Sequence, residues 1–400
     1  MAVSSMLGVE VPSDNPSEEK NSVFEPTMLV VGIGGGGGNA VTHMSKSHID
    51  AVKTMCINTD AQALSKTQAD IKLQIGCKMT GGLGCGADPT KGKAAAEENM
   101  DDIRTALQGF NIVFITAGEG GGTGTGGAPV VAQIAKEMGI LSFAIVTKPF
   151  SYEGKTRAEH AEAGIKELAQ YADALIVIPN DKLLKVLGKK VTVLKAFAEA
   201  NDVLLKAVRG ISGALMTSGT INLDYNDLKR CTENGGNAII GIGSGTGPER
   251  AQNAVQQAIV CPLLDDVDLK GAHSVFLNLE VPNDVTMEEM EYINATVKDY
   301  AAPNAEIITG LTYVNDDETV PETEDGEPVG EIRVTVIATG VGHKNAPSAT
   351  INMSCAPVSP VIDIDSSELV GEDSPFFQNG TGTFDDASLD SPTFFRKQAD

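Results

Sequence analysis

Residues 118–127 read GEGGGTGTGG, with seven glycines and two threonines in ten positions. The apolar run NIVFITA (111–117) precedes this stretch, and the helix-like segment APVVAQIAKEMG (128–139) follows it. A glycine in an ordered segment costs about 0.5–1 kcal/mol relative to alanine. So dense a run between a strand and a helix therefore indicates that something approaches the backbone closely.

A second glycine loop, GIGGGGGNA (32–40), follows an earlier apolar run. Backbone N–H groups that converge at the start of a helix bind phosphate, and the helix dipole favours the anion. The GxGxxG pattern at Gly32, Gly34 and Gly37, with Asp60 after the next strand, is typical of dinucleotide-binding folds. Two phosphate loops favour a triphosphate instead. Neither loop carries the G-K-[ST] ending of a Walker P-loop.

Short apolar runs alternate with helix-like sequence through the first half of the chain. This alternation predicts a parallel, doubly wound α/β sheet with helices on both faces. The runs that we expect to be strands are 28–34, 53–60, 111–117, 141–149 and 174–180.

Apolar residues at helical spacing continue over residues 192–219, which predicts one long helix. At 1.5 Å per residue, 25 residues span roughly 37 Å, the full height of a domain. Beyond this helix we expect a second, smaller α/β unit. The expected strands of this unit are 273–281, 305–314 and 331–341. Its expected helices are 248–259 and 286–300.

The composition excludes several classes of protein. The net charge of −24 argues against a dedicated nucleic-acid binder and against direct binding to an anionic membrane. The six cysteines are scattered without a CxxC pair, which is typical of reduced thiols in a cytoplasmic protein. We find no signal peptide and no apolar run long enough for a transmembrane helix, and we expect a soluble protein.

The glycine loops belong to a longer series of motifs, which resembles the tubulin/FtsZ family of GTPases and in particular its bacterial cell-division members. The resemblance covers about residues 27–342 in order. The motifs that carry it are VVGIGGGGGNAV (30–41), CINTDAQAL (56–64), GGGTGTG (120–126), VTKPFSYEGKTR (146–157), IPNDKLL (178–184) and INLDYND (221–227).

This resemblance implies a Rossmann-like GTPase domain with a parallel sheet, a long central helix and a smaller α+β domain. We expect a self-assembling, GTP-hydrolysing filament that forms the division ring at mid-cell, on the inner face of the membrane. The expected segments are a flexible tail (1–26), the GTP-binding domain (27–191), the central helix (192–219), the C-terminal domain (220–342), a disordered linker (343–388) and a partner-binding peptide (389–400).

The resemblance also assigns a nucleotide site for GTP or GDP. The residues expected to hold phosphates are Gly35, Gly36, Gly37, Gly38, Asn39, Gly122, Thr123 and Gly124. Glu153 and Arg157 are expected to contact the ribose and phosphate side of the nucleotide. Those expected to contact guanine and the sugar are Asn180, Phe197, Asn201 and Asp202. Without the family, Glu153 and Arg157 would be read as an exposed i,i+4 ion pair and Phe197 as a core residue.

Asp88 departs from the family pattern, which usually has asparagine in this loop (82–90). A carboxylate there would repel phosphate or bind the metal. The resemblance also implies Mg²⁺, which we expect to be held mainly by phosphates and waters rather than by a cage of protein ligands.

The resemblance assigns Asn222, Asp224 and Asp227 to the loop that activates water. Asp224 and Asp227 also fit a plain helix cap. Asp202 and Asp224 are 22 residues apart, roughly 30 Å along a helix, so both would not touch one GTP. Head-to-tail stacking would bring Asp224 and Asp227 to a neighbour's nucleotide and make a filament.

The end of the chain, LDSPTFFRKQAD (389–400), resembles the family's peptide that docks on membrane-anchoring and regulatory division proteins. Its two phenylalanines would bury in a groove with two bases at the rim. The rival interpretations are a filament that moves plasmid or phage DNA, a nicotinamide-dependent oxidoreductase, and a scaffold that binds without hydrolysis. The terminal peptide disfavours the DNA-moving filament, and the second glycine loop disfavours the oxidoreductase. Asp224 and Asp227 disfavour the scaffold without hydrolysis.

Overall fold

The computed structural model describes residues 26–47, 49, 52–187, 191–216, 224–232, 237–259, 272–313 and 330–340. Several sequence predictions fall outside these residues. They are the N-terminal tail, the linker, the C-terminal peptide and Asn222.

The described strands form one sheet in the order β3-β2-β1-β4-β5-β6-β7-β10-β8-β9. Neighbouring strands run parallel from β3 to β7, antiparallel from β7 through β10 to β8, and parallel again between β8 and β9. The strands are β1 Met28–Ile33, β2 Val52–Asn58, β3 Ile71–Gln74, β4 Ile112–Gly118, β5 Leu141–Lys148, β6 Ala174–Pro179, β7 Asn237–Gly245, β8 Ser274–Val281, β9 Glu306–Tyr313 and β10 Ile332–Thr339.

Helices cover both faces of this sheet, as the alternating pattern predicts. They are α1 Gly34–Lys46, α2 Ala61–Lys66, α3 Cys77–Thr80, α4 Pro89–Glu98, α5 Met100–Leu107, α6 Thr123–Glu137, α7 Lys155–Leu168, α8 Asn180–Leu187, α9 Val193–Met216, α10 Tyr225–Thr232, α11 Arg250–Ile259 and α12 Met287–Tyr300. Within the residues that the structure describes, none of these helices has the length and apolar character needed to cross a membrane.

Strand β1 shows why its sequence is apolar at every position. Val30 packs into a core on one face of the sheet, while Leu29 and Val31 pack into another core on the opposite face. All six residues of β1 are buried. A strand covered on both sides therefore reads as a continuous apolar run rather than an alternating one.

The sequence analysis missed β3 and β7. Strand β3 has only four residues. Strand β7 contains glycines, which weaken a strand pattern, and the structure explains them by close packing. A Cβ on Gly243 would lie 2.0 Å from the carbonyl oxygen of Ala254 in α11. Because β7 pairs with β6 at Leu175 and Ile176, the sheet of the second α/β unit is continuous with the first.

Helix α9 packs against both parts of the sheet. Its buried residues, including Leu204 and Ile211, share one core with Phe114 of β4 and with Phe276 of β8. The predicted long helix is confirmed, with 24 residues and a length of about 36 Å. Its first turn lies at the surface, since Leu194 is 84% exposed.

Candidate functional site

A cavity of about 360 Å³ opens where the parallel strands β4 and β5 end. Ligands of doubly wound sheets bind at this carboxyl edge. The lining residues come from the ends of these strands, from the starts of α1, α6 and α8, from the segment around α7, and from one face of α9. They include Gly35, Gly36, Asn39, Glu119, Gly122, Thr123, Gly124, Thr147, Pro149, Glu153, Arg157, Asn180, Phe197 and Asn201.

Two helix N-termini meet in this cavity. Helix α1 begins directly after β1, and α6 begins at Thr123 after Gly122. Neither helix has a side chain that caps its first N–H groups. Because these groups have no partner within the helix and lie at the positive end of its dipole, the cavity is suited to a polyanion such as a phosphate chain.

Glycine is needed in the two loops for two different reasons. A Cβ on Gly37 would lie 2.4 Å from the carbonyl oxygen of Thr116, and one on Gly126 would lie 2.1 Å from that of Pro89. These glycines let the helices pack against the sheet and against each other. Gly35, in contrast, lines the cavity and has no atom within 4 Å of its Cβ position. The glycine run therefore serves helix packing as well as ligand approach.

The structure places the predicted phosphate residues at two depths. Gly35, Gly36, Asn39, Gly122, Thr123 and Gly124 line the cavity, whereas Gly37 and Gly38 are buried within α1 and do not line it. The Thr123 hydroxyl shares a hydrogen bond of 2.7 Å with the hydroxyl of Thr59. Cys85, a buried free thiol, lies 3.4 Å from the same Thr59 hydroxyl.

The opposite wall of the cavity carries aromatic and amide side chains. Phe197 is 42% exposed, so reading it as a core residue would be wrong, and its ring meets Phe150 edge-on with centroids 5.2 Å apart. Asn201 follows one turn later on α9. Asn180 is buried, and its Oδ1 atom accepts no hydrogen bond among the described residues. Such an atom is suited to a ligand donor.

Glu153 and Arg157 line the cavity and contact each other, so the ion pair and the site assignment are both compatible with the structure. Asp202 does not line it. Its carboxylate instead lies 2.8 Å from Nζ of Lys206 and 3.7 Å from Nε2 of His43.

Asp88 caps a helix. Its carboxylate accepts hydrogen bonds from the Thr90 hydroxyl at 2.6 Å and from the Thr90 backbone N–H at 3.0 Å, at the start of α4. The hydroxyl bond from Thr90 is the main cause that holds the pKa of Asp88 below its usual value. The Asp-Pro-Thr order (88–90) signals this cap, because proline is favoured at the first helical position.

The acids of the predicted water-activating loop lie at the other edge of the sheet. Asp224 caps α10 by accepting the backbone N–H of Asp227 at 2.8 Å, which confirms the capping interpretation. The next residue, Tyr225, donates from its hydroxyl to the carbonyl of Asn111 at 3.5 Å. Asn111 precedes β4, whose far end at Gly118 lines the cavity. A strand of this length spans roughly 20 Å, so the structure does not bring Asp224 or Asp227 to the cavity.

Sequence reasoning missed several lining residues, among them Glu119, Thr147 and Pro149. Thr147 and Pro149 lie at the end of β5, and their position at a carboxyl edge is the signal that was available. Glu119 lies inside the glycine stretch itself. An acid beside a phosphate loop carries no sequence signal of its burial.

The chain is similar to known proteins over most of its length. The family model described as Tubulin/FtsZ family, GTPase domain, matches residues 27–188, and the one described as FtsZ family, C-terminal domain, matches residues 236–342. Cell division protein FtsZ of Coxiella burnetii is 45% identical over 369 residues, which are 92% of this chain and 88% of that protein. That of Wigglesworthia glossinidia brevipalpis is 42% identical over 94% of this chain and 100% of its own length.

Among solved structures, an FtsZ dimer of M. jannaschii has a TM-score of 0.72 and 40% sequence identity, covering 82% of this chain and 95% of that one. A protofilament of CetZ2 from Haloferax volcanii, with a TM-score of 0.65 at 19% identity over 79% of this chain and 93% of that one, shares the fold. With two matching domains and relatives this similar over most of their length, the chain belongs to the FtsZ family of tubulin-like GTPases.

Proposed function

We propose that this chain binds GTP in the cavity between α1, α6 and α9 and hydrolyses it where a second copy contributes Asp224 and Asp227. As a member of the FtsZ family, the chain is a GTP-binding and GTP-hydrolysing cell-division filament protein. The proposal concerns the residues that perform these steps. The observation that carries it is the separation of the two groups, with the anion site at one edge of the sheet and the acids at the other.

The phosphates of GTP would lie against the uncapped N–H groups at the starts of α1 and α6. The base would stack on Phe197, with Asn180 and Asn201 offering amide groups to the base and sugar. Asp202 is the next residue on α9, and its partners Lys206 and His43 are partly exposed. A turn of its carboxylate toward the base would let it accept from the N1–H and exocyclic amine of guanine, two donors that adenine lacks.

Hydrolysis needs an attacking water near the γ-phosphate. Carboxylates of a neighbouring copy, Asp224 and Asp227, would orient or deprotonate this water. We propose that Asn222, two positions before Asp224 in the sequence, takes part in the same step. The N–H groups of α1 and α6 would stabilise the charge that develops on the phosphate. Asp227 already lies in a charged setting, because Arg230 is 3.6 Å from its carboxylate and also pairs with Glu306.

Mg²⁺ would accompany GTP and neutralise part of the phosphate charge. The described residues contain no group of three or more acidic, histidine or cysteine side chains that would hold a metal ion. We expect phosphate oxygens and waters to supply most of its ligands, as Mg²⁺ often requires.

Contact between unlike surfaces of successive copies generates an open filament when the rotation between copies does not close into a ring. Each added copy would complete one active site, so hydrolysis would follow assembly, and loss of the γ-phosphate would then weaken the contact. We also propose that residues 389–400 dock on membrane-anchoring and regulatory division proteins, which would hold the filament at the inner face of the membrane at the division site.

The test is a mixing experiment between two defective variants. Asp227→Ala keeps the cavity, and Gly35→Ala keeps the acids. We expect each variant alone to hydrolyse GTP slowly, and a mixture to recover part of the wild-type rate as concentration rises. Glu291→Ala, which removes an exposed acid from α12, serves as the matched control and is expected to behave as wild type.

If Asp227→Ala alone keeps the wild-type rate, or if wild-type turnover per molecule is independent of protein concentration, the active site lies within one copy and the proposal is wrong. If the mixture recovers nothing while both variants co-assemble in light scattering, the two groups do not act at one shared interface.

A further inference from the structure

A carboxyl group is buried directly behind the second glycine loop. Glu119 is only 5% exposed, and its backbone N–H donates to the carbonyl of Thr147 at 2.9 Å. Its side chain reaches α7, where a Cβ on Gly164 would lie 2.8 Å from Oε2 of Glu119. Gly164 thus leaves the space that the carboxyl group occupies, in the contact between α6 and α7.

This carboxyl group lacks the partners that a buried charge requires. Neither oxygen of Glu119 accepts a hydrogen bond from any described residue within normal geometry. Burial raises the pKa of Glu119 to about 7, and the nearby Thr125 hydroxyl only partly opposes this rise. An unpaired, buried carboxylate is costly, so the group stays protonated until the pH approaches that value.

Charged groups on the elements around Glu119 pair with one another. On α7, Arg157 pairs with Glu153, and Glu162 pairs with Lys148 of β5. His160 of α7 has its Nδ1 atom buried without a hydrogen-bond partner. None of the salt bridges among the described residues includes Glu119. Those in this region join other residues.

The surroundings of Glu119 connect it to the phosphate site. Thr125, in the first turn of α6, accepts a hydrogen bond from the backbone N–H of Gly120 at 2.9 Å. A Cβ on Gly120 would lie 2.6 Å from the carbonyl of Arg157, so the loop is closed tightly onto α7. The same loop continues into Gly122 and Thr123, which line the cavity. A charge forming at Glu119 would therefore loosen this contact and repel the phosphates.

We propose that Glu119 is a positioning residue of the second glycine loop, whose protonated carboxyl lets the loop close against α7 in its phosphate-binding shape and whose ionisation weakens GTP binding. The inference rests on the proposed function only in placing the phosphates of GTP against this loop.

The sign of the pH dependence follows from linkage. The GTP-bound state holds the proton on Glu119 more firmly than the free state, since the phosphates disfavour a nearby anion. Affinity is therefore fully present below the pKa of Glu119 and falls as the pH rises through it. One proton linked to binding changes the affinity by up to about tenfold per pH unit.

The experiment measures GTP binding by calorimetry to the full chain, below its assembly concentration, from about pH 6 to pH 8.5, a range that brackets the raised pKa of Glu119. We expect wild-type affinity to fall by about tenfold or more across this range relative to Glu119→Gln, which stays neutral. Comparing the two proteins removes the titration of GTP itself. His160→Gln is the matched control and is expected to keep the wild-type profile.

The same pH profile in Glu119→Gln as in wild type, or loss of the dependence in His160→Gln, would overturn the inference. Proton uptake on GTP binding to wild type, from calorimetry in two buffers near pH 7.5, is a second measurement that needs no variant. We expect a fraction of a proton to be taken up, and none taken up would also overturn it. Absence of GTP binding at every pH would instead overturn the proposed function itself.

Discussion

Gly35→Ala should separate GTP binding from folding stability. Gly35 lies in the first turn of α1 with open space at its Cβ position, and it lines the cavity. Alanine is favoured over glycine in a helix by about 0.8–1.0 kcal/mol. The free energy of unfolding of Gly35→Ala should therefore stay equal to that of wild type or rise by up to about 1 kcal/mol.

The methyl group of this variant would occupy the space in which a phosphate approaches the backbone. Loss of one hydrogen bond from an N–H group to a charged oxygen costs about 1.5–3 kcal/mol. This corresponds to GTP affinity that is about 10- to 150-fold weaker, at 1.4 kcal/mol per factor of ten. Gly37→Ala is the matched control, since its methyl group would lie 2.4 Å from the Thr116 carbonyl oxygen, away from the cavity lining. It should lose about 1–3 kcal/mol of stability or more.

Urea unfolding measures stability, and titration of unassembled protein with GTP measures affinity. Wild-type affinity in Gly35→Ala would refute the reasoning, because no phosphate would then lie against this part of α1. A loss of stability in Gly35→Ala as large as that in Gly37→Ala would also refute it.

Two further predictions concern the base and the second half of the sheet. Phe197→Ala should weaken GTP binding by about 1–3 kcal/mol through lost stacking. Leu194→Ala, which changes another exposed residue of α9, should bind GTP as wild type does in the same titration. Equal affinities of the two variants for GTP would exclude stacking on Phe197. Arg250 is fully buried, 2.8 Å from Asp284 and 2.7 Å from Glu289. In urea unfolding, the free energy of unfolding of Arg250→Met should be about 3–5 kcal/mol below that of wild type, because two partly buried acids lose their cation. A decrease no larger than that of Lys298→Met, which changes an exposed residue, would contradict this prediction.

The fold was largely predictable because its strands are buried on both faces. Val30 and Val31 pack into different cores, so every position of β1 must be apolar, and the run stands out in the sequence. Strand β7 could not be found in this way. The need for glycine at Gly243 comes from the nearness of Ala254 on α11, which is a tertiary contact with no local pattern.

Some residues of the candidate site were likewise predictable from the sequence, and others were not. Gly35 and Thr123 were predictable because phosphate loops occupy a fixed place between a strand and a helix. The burial of Glu119 was not, since it depends on a vacancy that Gly164 leaves on α7, some 45 positions along the chain. Asp88 stands out in the sequence because the family usually has asparagine at this position. Its hydrogen bonds to Thr90, however, depend on where α4 begins.

The location of the cavity and of Asp224 at opposite edges of the sheet gives a filament two chemically unlike tips. On the proposed mechanism, the terminal copy at one tip presents a cavity that no neighbour has completed. Its GTP stays intact and remains open to exchange with solvent. At the other tip, the terminal copy presents its acids to solvent, and its own nucleotide is enclosed by the next copy. Growth and loss of copies would therefore proceed at different rates at the two tips, which gives the assembly a direction along its length.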